Sequence, residues 1–146
     1  QDVRHSVATL RADPLQGKIL KVAIAELVKD LQYRTEISFH YHNDIPDRLY
    51  KEITSTVYRI VQEALTNMIK HSEATEVEIS LQLVVNYLEV QVKDNGTGFD
   101  PQENTTGFGI QGMRERTTAL GGKFNLVSLP GKGCHVTATI PLVDKL

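Results

Sequence analysis

One helical stretch, residues 57 to 71, limits the folds open to this chain more than any other segment. Within it Val57, Ile60, Val61, Ala64, Leu65 and Met68 recur at helical spacing and make a broad apolar stripe. Glu63, Asn67, Lys70 and His71 fall together on one side, beside that stripe. Such a helix must bury its stripe against another layer, and its polar residues then lie along the rim of the contact. The amide oxygen of Asn67 is a hard donor suited to Mg²⁺. Lys70 can place an ammonium near phosphate oxygens, and His71 can donate a hydrogen bond to them. Glu63 can polarise a water or an incoming nucleophile. Taken alone, the same four residues are better read as the solvated face of an amphipathic helix.

A second segment shifts that balance. Leu88, Val90 and Val92 alternate as in a half-buried strand, and Asp94 continues their parity, so its carboxyl points with them toward the core. Carboxylates are rarely buried without partners. An inward Asp94 entering a loop with Gly96 and Gly98 is a candidate to accept a hydrogen bond from a ligand amino group. Asp-Asn-Gly is also ordinary turn chemistry, and the two readings are compatible.

Two further glycine-rich segments follow. Gly107-Phe108-Gly109-Ile110-Gln111-Gly112 satisfies the GxGxxG spacing, but a polar, proline-containing loop precedes it where the dinucleotide fingerprint requires a strand. It reads instead as a loop opening a helix near Gln111, whose free N–H groups and dipole favour anions. Gly131-Lys132-Gly133 joins two strand-like runs and by itself is a plain hairpin loop.

The periodicities predict helical residues over 1–12, a helix over about 17–32, a strand over 35–42 and a long helix over 47–71. They continue with strands over 75–85 and 87–94, a loop over 95–108, a helix over 110–120, and strands over 123–129 and 133–141. Val77, Ile79, Leu81, Leu83 and Val85 alternate on one face, with a turn near Asn86. A hairpin, a helix and a second hairpin fit a mixed sheet covered on one face by helices, a two-layer α/β sandwich of the α+β class.

In order and spacing, these four segments resemble the nucleotide-binding domain shared by sensor histidine kinases, Hsp90-type chaperones, type II topoisomerases and MutL-type repair proteins, the Bergerat ATP-binding fold. The resemblance covers roughly residues 18 to 143. Glu63 to His71 resembles the family's N box, Asp94 to Phe99 its first glycine box, Gly107 to Gly112 its second and Gly131 to Gly133 its third. The short loop between the first and second glycine boxes is similar to that of histidine kinases. Gln-Glu-Ala-Leu-Thr-Asn with Lys70-His71, and Gly-Ile-Gln-Gly-Met-Arg-Glu-Arg, resemble the subgroup whose partners are LuxR/NarL-type response regulators.

The resemblance implies roles residue by residue. Asn67 ligates Mg²⁺, and Glu63 is the catalytic acid/base or orienting residue. Lys70 and His71 face phosphates, and Asp94 binds the adenine amino group with help from Gly98. Residues 99 to 108 form an ATP lid. Gly107, Gly109 and Gly112 let the lid and helix terminus close on phosphates, and Gly96 and Ile110 complete the nucleotide-binding set. One departure lies in the third box, where Cys134 follows the last glycine in place of the family's frequent Thr or Ser. A thiol is a weaker hydrogen-bonding group, and Thr137 does not take over the role because its strand parity is opposite.

The implied activity is transfer of the ATP γ-phosphoryl group to a histidine on a helical domain. None of the five histidines, His5, His40, His42, His71 and His135, lies in the acceptor context of this subgroup. The acceptor is therefore expected outside this sequence, with residues 1–13 as the end of its second helix and the joint at Asp13-Pro14. Residues 14–146 are expected to be the ATP-binding catalytic domain. Two alternatives share these residues: an anti-sigma-type serine kinase of the same fold, and a nucleotide-gated binding module without kinase activity.

Composition agrees with one compact domain: 146 residues, 40% hydrophobic and 23% charged. A net charge of −2 gives no support for nucleic-acid binding, although Lys70, Arg114 and Arg116 can serve an anionic nucleotide. A single cysteine excludes an internal disulfide and fits a reducing compartment. No run reaches transmembrane length and no signal peptide is evident. A cytoplasmic domain is expected, monomeric by itself, within a homodimeric parent that other segments can tether to a membrane.

Overall fold

The computed structural model describes residues 14–98, 109–128 and 131–142. The predicted helical stretch over 1–12, Gly107 and the whole 99–108 lid lie outside the described residues. Eight elements follow in order: α1 (Leu20–Arg34), β1 (Ser38–Asp44), α2 (Lys51–His71), β2 (Glu76–Val84), β3 (Tyr87–Asp94), α3 (Ile110–Ala119), β4 (Lys123–Ser128) and β5 (Cys134–Pro141). The strands form one sheet in the order β1-β2-β3-β5-β4. β1 runs parallel to β2 across the α2 crossover, and every other neighbouring pair is antiparallel.

Local chemistry sets the element ends. α1 starts at Leu20 rather than 17 because Gln16 and Gly17 turn the chain in left-handed conformations. At its C-terminus Thr35 donates its N–H and its hydroxyl to the Leu31 carbonyl, and Ile37 N–H bonds the Thr35 hydroxyl. Residues 35–37 are thereby spent closing the helix, and β1 begins at Ser38 instead of 35.

The sheet register assembles one buried face. Val77 pairs with Asp94, Ile79 with Val92 and Leu81 with Val90. On the other side of β3, Val92 pairs with Val136, Val90 with Ala138 and Leu88 with Ile140. Against this face α2 packs Val57, Ile60, Val61, Ala64, Leu65 and Met68, all fully or almost fully buried. The predicted stripe is therefore the centre of the core. α3 closes one flank through Ile110 and Met113, and α1 the other through Leu20, Ala23, Ile24 and Val28. The opposite face of the sheet is polar: a chain of bonds runs from Gln82 to Glu89, from Gln91 to Glu89, and between His135 and Gln91.

The β2–β3 hairpin differs from its sequence pattern. Alternation predicts Leu83 and Val85 on the buried face, yet Leu83 is exposed and Val85 is 86% exposed. Val84 pairs with Tyr87, so Val85 and Asn86 make a two-residue turn, and Val85 adopts φ +56°. A β-branched residue in the left-handed region costs roughly 1–2 kcal/mol, and Asn86 next to it does not take that position. Replacing Val85 with Gly or Asn is expected to raise the melting temperature by about 2–5 °C, read by thermal denaturation; an unchanged or lowered value would show that the tip carries no strain.

Candidate functional site

β3 delivers Asp94 to the end of the buried face. Its side chain is 5% exposed. Oδ1 accepts the Gly96 N–H at 2.7 Å, whereas Oδ2 is buried with no hydrogen-bond partner. Burial pushes the carboxyl pKa above its ordinary value, opposed by hydrogen bonding from Gly96, Ser72 and the Cys134 backbone. One satisfied oxygen and one buried, unpartnered oxygen make an acceptor that lacks its donor.

The loop behind this carboxylate is clamped to the end of α2. Thr97 donates its N–H to the Ser72 carbonyl at 2.6 Å and its hydroxyl to the same oxygen at 3.1 Å. A Cβ at Gly96 would stand 2.0 Å from that oxygen, so only glycine fits. Gly133 also approaches closely from the third glycine loop, where a Cβ would lie 2.4 Å from the Asp94 carbonyl oxygen. Gly131 N–H bonds the Thr97 carbonyl, tying the two loops together. Asn95 faces away, its Oδ1 accepting the Thr75 and Glu76 N–H groups.

The rim of α2 supplies the remaining polar groups. Asn67 is 4% exposed, Glu63 is half-buried, and Lys70 and His71 are exposed. Gly109 caps α3 at φ +66° and lies on Glu63: a Cβ there would be 2.5 Å from Glu63 Oε2. Ile110 is buried in the core, which pins the first turn of α3 beside that carboxylate, with Gly112 half-buried in the same turn. The first N–H groups of a helix lack intrahelical partners and form its positive end. Gly98, at φ +71°, leads from the clamped loop toward the lid.

Cys134 occupies the departure noted in the third glycine box. It is buried, and burial together with the Asp94 charge pushes its thiol up to about 11, with a hydrogen bond from Ser128 acting the other way. It therefore stays protonated at neutral pH. Thr137 has the opposite parity, as predicted, on the half-buried side of β5.

Two basic residues of α3 make contacts of their own. The Arg114 guanidinium lies 5.1 Å from the centre of the Phe124 ring and donates to the Phe124 carbonyl at 3.2 Å, so it joins α3 to β4. Arg116 lines a cleft with Lys51, Glu52, Ser55 and Thr56 at the start of α2. At 1.5 Å per residue these residues lie about 16 to 24 Å along the helix from Asn67, while a Cβ at Gly112 would lie 3.4 Å from the Arg116 guanidinium. Helical spacing gives no hint of either contact, because Phe124 and the α2 start are brought to α3 by packing. Ser72 was missed for a related reason: in sequence it is one serine after the last helical turn.

A group whose pKa is raised on folding stabilises the fold below its unfolded value, 3.8 for this carboxyl, and that contribution is lost as pH rises through the folded value. Asp94→Asn removes the buried charge. The nucleotide-free variant is expected to melt higher than the native chain at pH 8, with the difference shrinking as pH falls toward 4, measured by thermal melts across pH. A constant or reversed difference would show that burial does not strain this carboxylate.

Comparison with known proteins places the chain in a family. Residues 52–144 match the family described as histidine kinase-, DNA gyrase B- and HSP90-like ATPase. The chain is 36% identical to the oxygen sensor histidine kinase NreB of Staphylococcus carnosus, over 98% of this chain and 42% of that protein. It is 33% identical to the sensor histidine kinase LiaS of Bacillus subtilis, over 97% of this chain and 39% of that one. The chain thus spans about two-fifths of the length of these relatives. In fold it is similar to the blue-light activated histidine kinase EL346 of Erythrobacter litoralis, with a TM-score of 0.72 at 22% identity, over 88% of this chain and 44% of the other. By this family match over residues 52–144 the chain belongs to the histidine kinase-, DNA gyrase B- and HSP90-like ATPase family, and its likeness to the sensor histidine kinases runs over nearly its whole length.

Proposed function

We propose that this domain binds Mg-ATP through Asp94, Asn67 and the α3 terminus and passes the γ-phosphoryl group to a histidine on another part of a longer kinase. The observation that carries the reading is the buried, unpartnered Oδ2 of Asp94. An adenine amino group is a neutral N–H donor of the kind such an oxygen lacks, and a guanine presents a carbonyl at the same place. Supporting it, the clamped loops hold this acceptor against movement, and Glu63 lies at the start of α3 where phosphates are favoured.

The roles proposed for the chain's own residues follow from their placement. The Asn67 amide oxygen is the hard donor for Mg²⁺. Among the described residues no group of three or more His, Cys, Asp and Glu side chains gathers as a metal cage. A single amide oxygen fits a cation that takes its other ligands from water and phosphate. Held on the protein side by Asn67, Mg²⁺ would supply neutralisation of the phosphate charge. Lys70, His71 and the N–H groups opening α3, with Gly109 and Gly112 allowing close approach, receive the phosphates. Glu63 orients the acceptor imidazole and takes its proton. Catalysis in this reading is mostly positioning and charge neutralisation.

The partners proposed are a phosphoacceptor helical domain of the same polypeptide and, downstream, a response regulator of the LuxR/NarL type. The wording of the N box and of residues 109–116 supports the second, as does similarity to NreB and LiaS. No helix among the described residues is long and apolar enough to cross a membrane. A site built for ATP suits the cytoplasmic side of any parent.

Calorimetric titration tests the pocket. ATP is expected to bind in the presence of Mg²⁺, with GTP as the weaker control. Asp94→Asn should weaken ATP by roughly 10- to 150-fold, the worth of one hydrogen bond to a charged group, while sparing the fold. Asn67→Ala should remove the Mg²⁺ dependence. Equal loss for ATP and GTP in Asp94→Asn would refute base recognition by this carboxylate. An unaltered Mg-ATP isotherm in folded Asn67→Ala would refute the ligand assignment.

A further inference from the structure

Ser72 is fully buried at the C-terminal cap of α2 and holds the loop after β3 with its carbonyl oxygen, as described above. Its hydroxyl is in a different situation. It donates to the Met68 carbonyl at 2.9 Å, although that carbonyl already accepts the Ser72 N–H at 3.2 Å. The hydroxyl can therefore leave without stranding an acceptor. The Gly96 position lies against it, with a Cβ there falling 2.8 Å from Oγ, and Gly96 is the residue whose N–H holds Asp94 Oδ1. The Asp94 carboxylate is bonded to that same glycine, and the Ser72 hydroxyl is one of the groups that draw its proton affinity down against burial. A hydroxyl bonds an ionised carboxylate more strongly than a carbonyl. Each carboxylate oxygen accepts two donors, so this bond leaves room for a ligand amino group.

We propose that Ser72 is a positioning residue for base recognition: its carbonyl locks the glycine loop, and its hydroxyl turns from Met68 to Asp94 when that carboxyl is ionised, holding the acceptor charged for the nucleotide. This rests on the reading of Asp94 as the base acceptor. Cys134 on β5, against the carboxyl, stays a protonated thiol. His40 from β1, Glu76 and Glu78 from β2 and Lys93 from β3 have the opposite strand parity and line, with Asp94 at its edge, a cleft of about 240 Å³ on the other face of the sheet. Lys70 and His71 precede Ser72 on α2. Replacement of Ser72 leaves all of them in place.

The test is the titration of the Asp94 carboxyl carbon by ¹³C NMR in the nucleotide-free chain, native and Ser72→Ala, with Asp94→Asn identifying the resonance. Loss of the hydroxyl is expected to move the midpoint up by about half a pH unit or more. The acidic limb of Mg-ATP affinity should move the same way. Ser72→Cys fills the same space with a weaker donor, is expected to fall between the two, and carries the comparison if the alanine variant does not fold. Coincident titrations in native and variant chains would overturn the proposal, as would an affinity loss equal at every pH, which a purely structural clamp predicts. Failure of the native chain to bind ATP would instead count against the nucleotide reading, while the NMR comparison still decides the role of the hydroxyl.

Discussion

A carboxyl group set in a row of core residues is the constraint on which the site depends. The register places Val77 beside Asp94 on one side, and Cys134 packs against it from the other, with Ser128 paired to Cys134 beyond. A charge in such a row is costly to desolvate. The surroundings offset only part of that cost, through hydrogen bonds to one oxygen and none to the other. The fold therefore carries a strained acceptor, held in place because the loops on both sides cannot relax: Gly96 is wedged on Ser72 and Gly133 on the Asp94 backbone. Residues that store such strain are commonly those that later contact a ligand.

The long helix connects this acceptor to the rest of the chemistry. Its apolar stripe fixes α2 on the sheet, and the same packing decides the heights of its rim residues. Asn67 sits low and buried, Glu63 half-buried, and Lys70 and His71 stand out at the C-terminal end. A graded rim suits a ligand with an apolar base at one end and charged phosphates at the other. Because α3 is pinned at Ile110 and lies on Glu63 through Gly109, the helix that would meet phosphates and the carboxylate that would orient the acceptor share one contact. A change at Gly109 would disturb both.

Much of the fold was legible because single-residue periodicity reports burial directly. The stripe from Val57 to Met68 lies in the core, and the inward parity of Asp94 holds. Periodicity is silent about where a face runs out. Leu83 and Val85 keep the alternation of β2 yet stand in solvent. It is equally silent about the left-handed position at Val85, where a turn-favouring asparagine stands one residue away. Charge counting does not reveal that the Arg114 guanidinium packs over the Phe124 ring, a contact between elements.

The sequence by itself determined the order of elements, the buried stripe of α2, the inward carboxylate and the glycines at which backbone approaches backbone. These are properties of spacing and parity, written in neighbouring residues. Tertiary structure decided which groups meet: Ser72 with the loop after β3, Glu63 with the cap of α3, Arg114 with Phe124 and Cys134 with Asp94. Each of these contacts joins residues on different elements. Their distances are set by the packing of α2 and α3 on the sheet, for which no local pattern in the chain is a record.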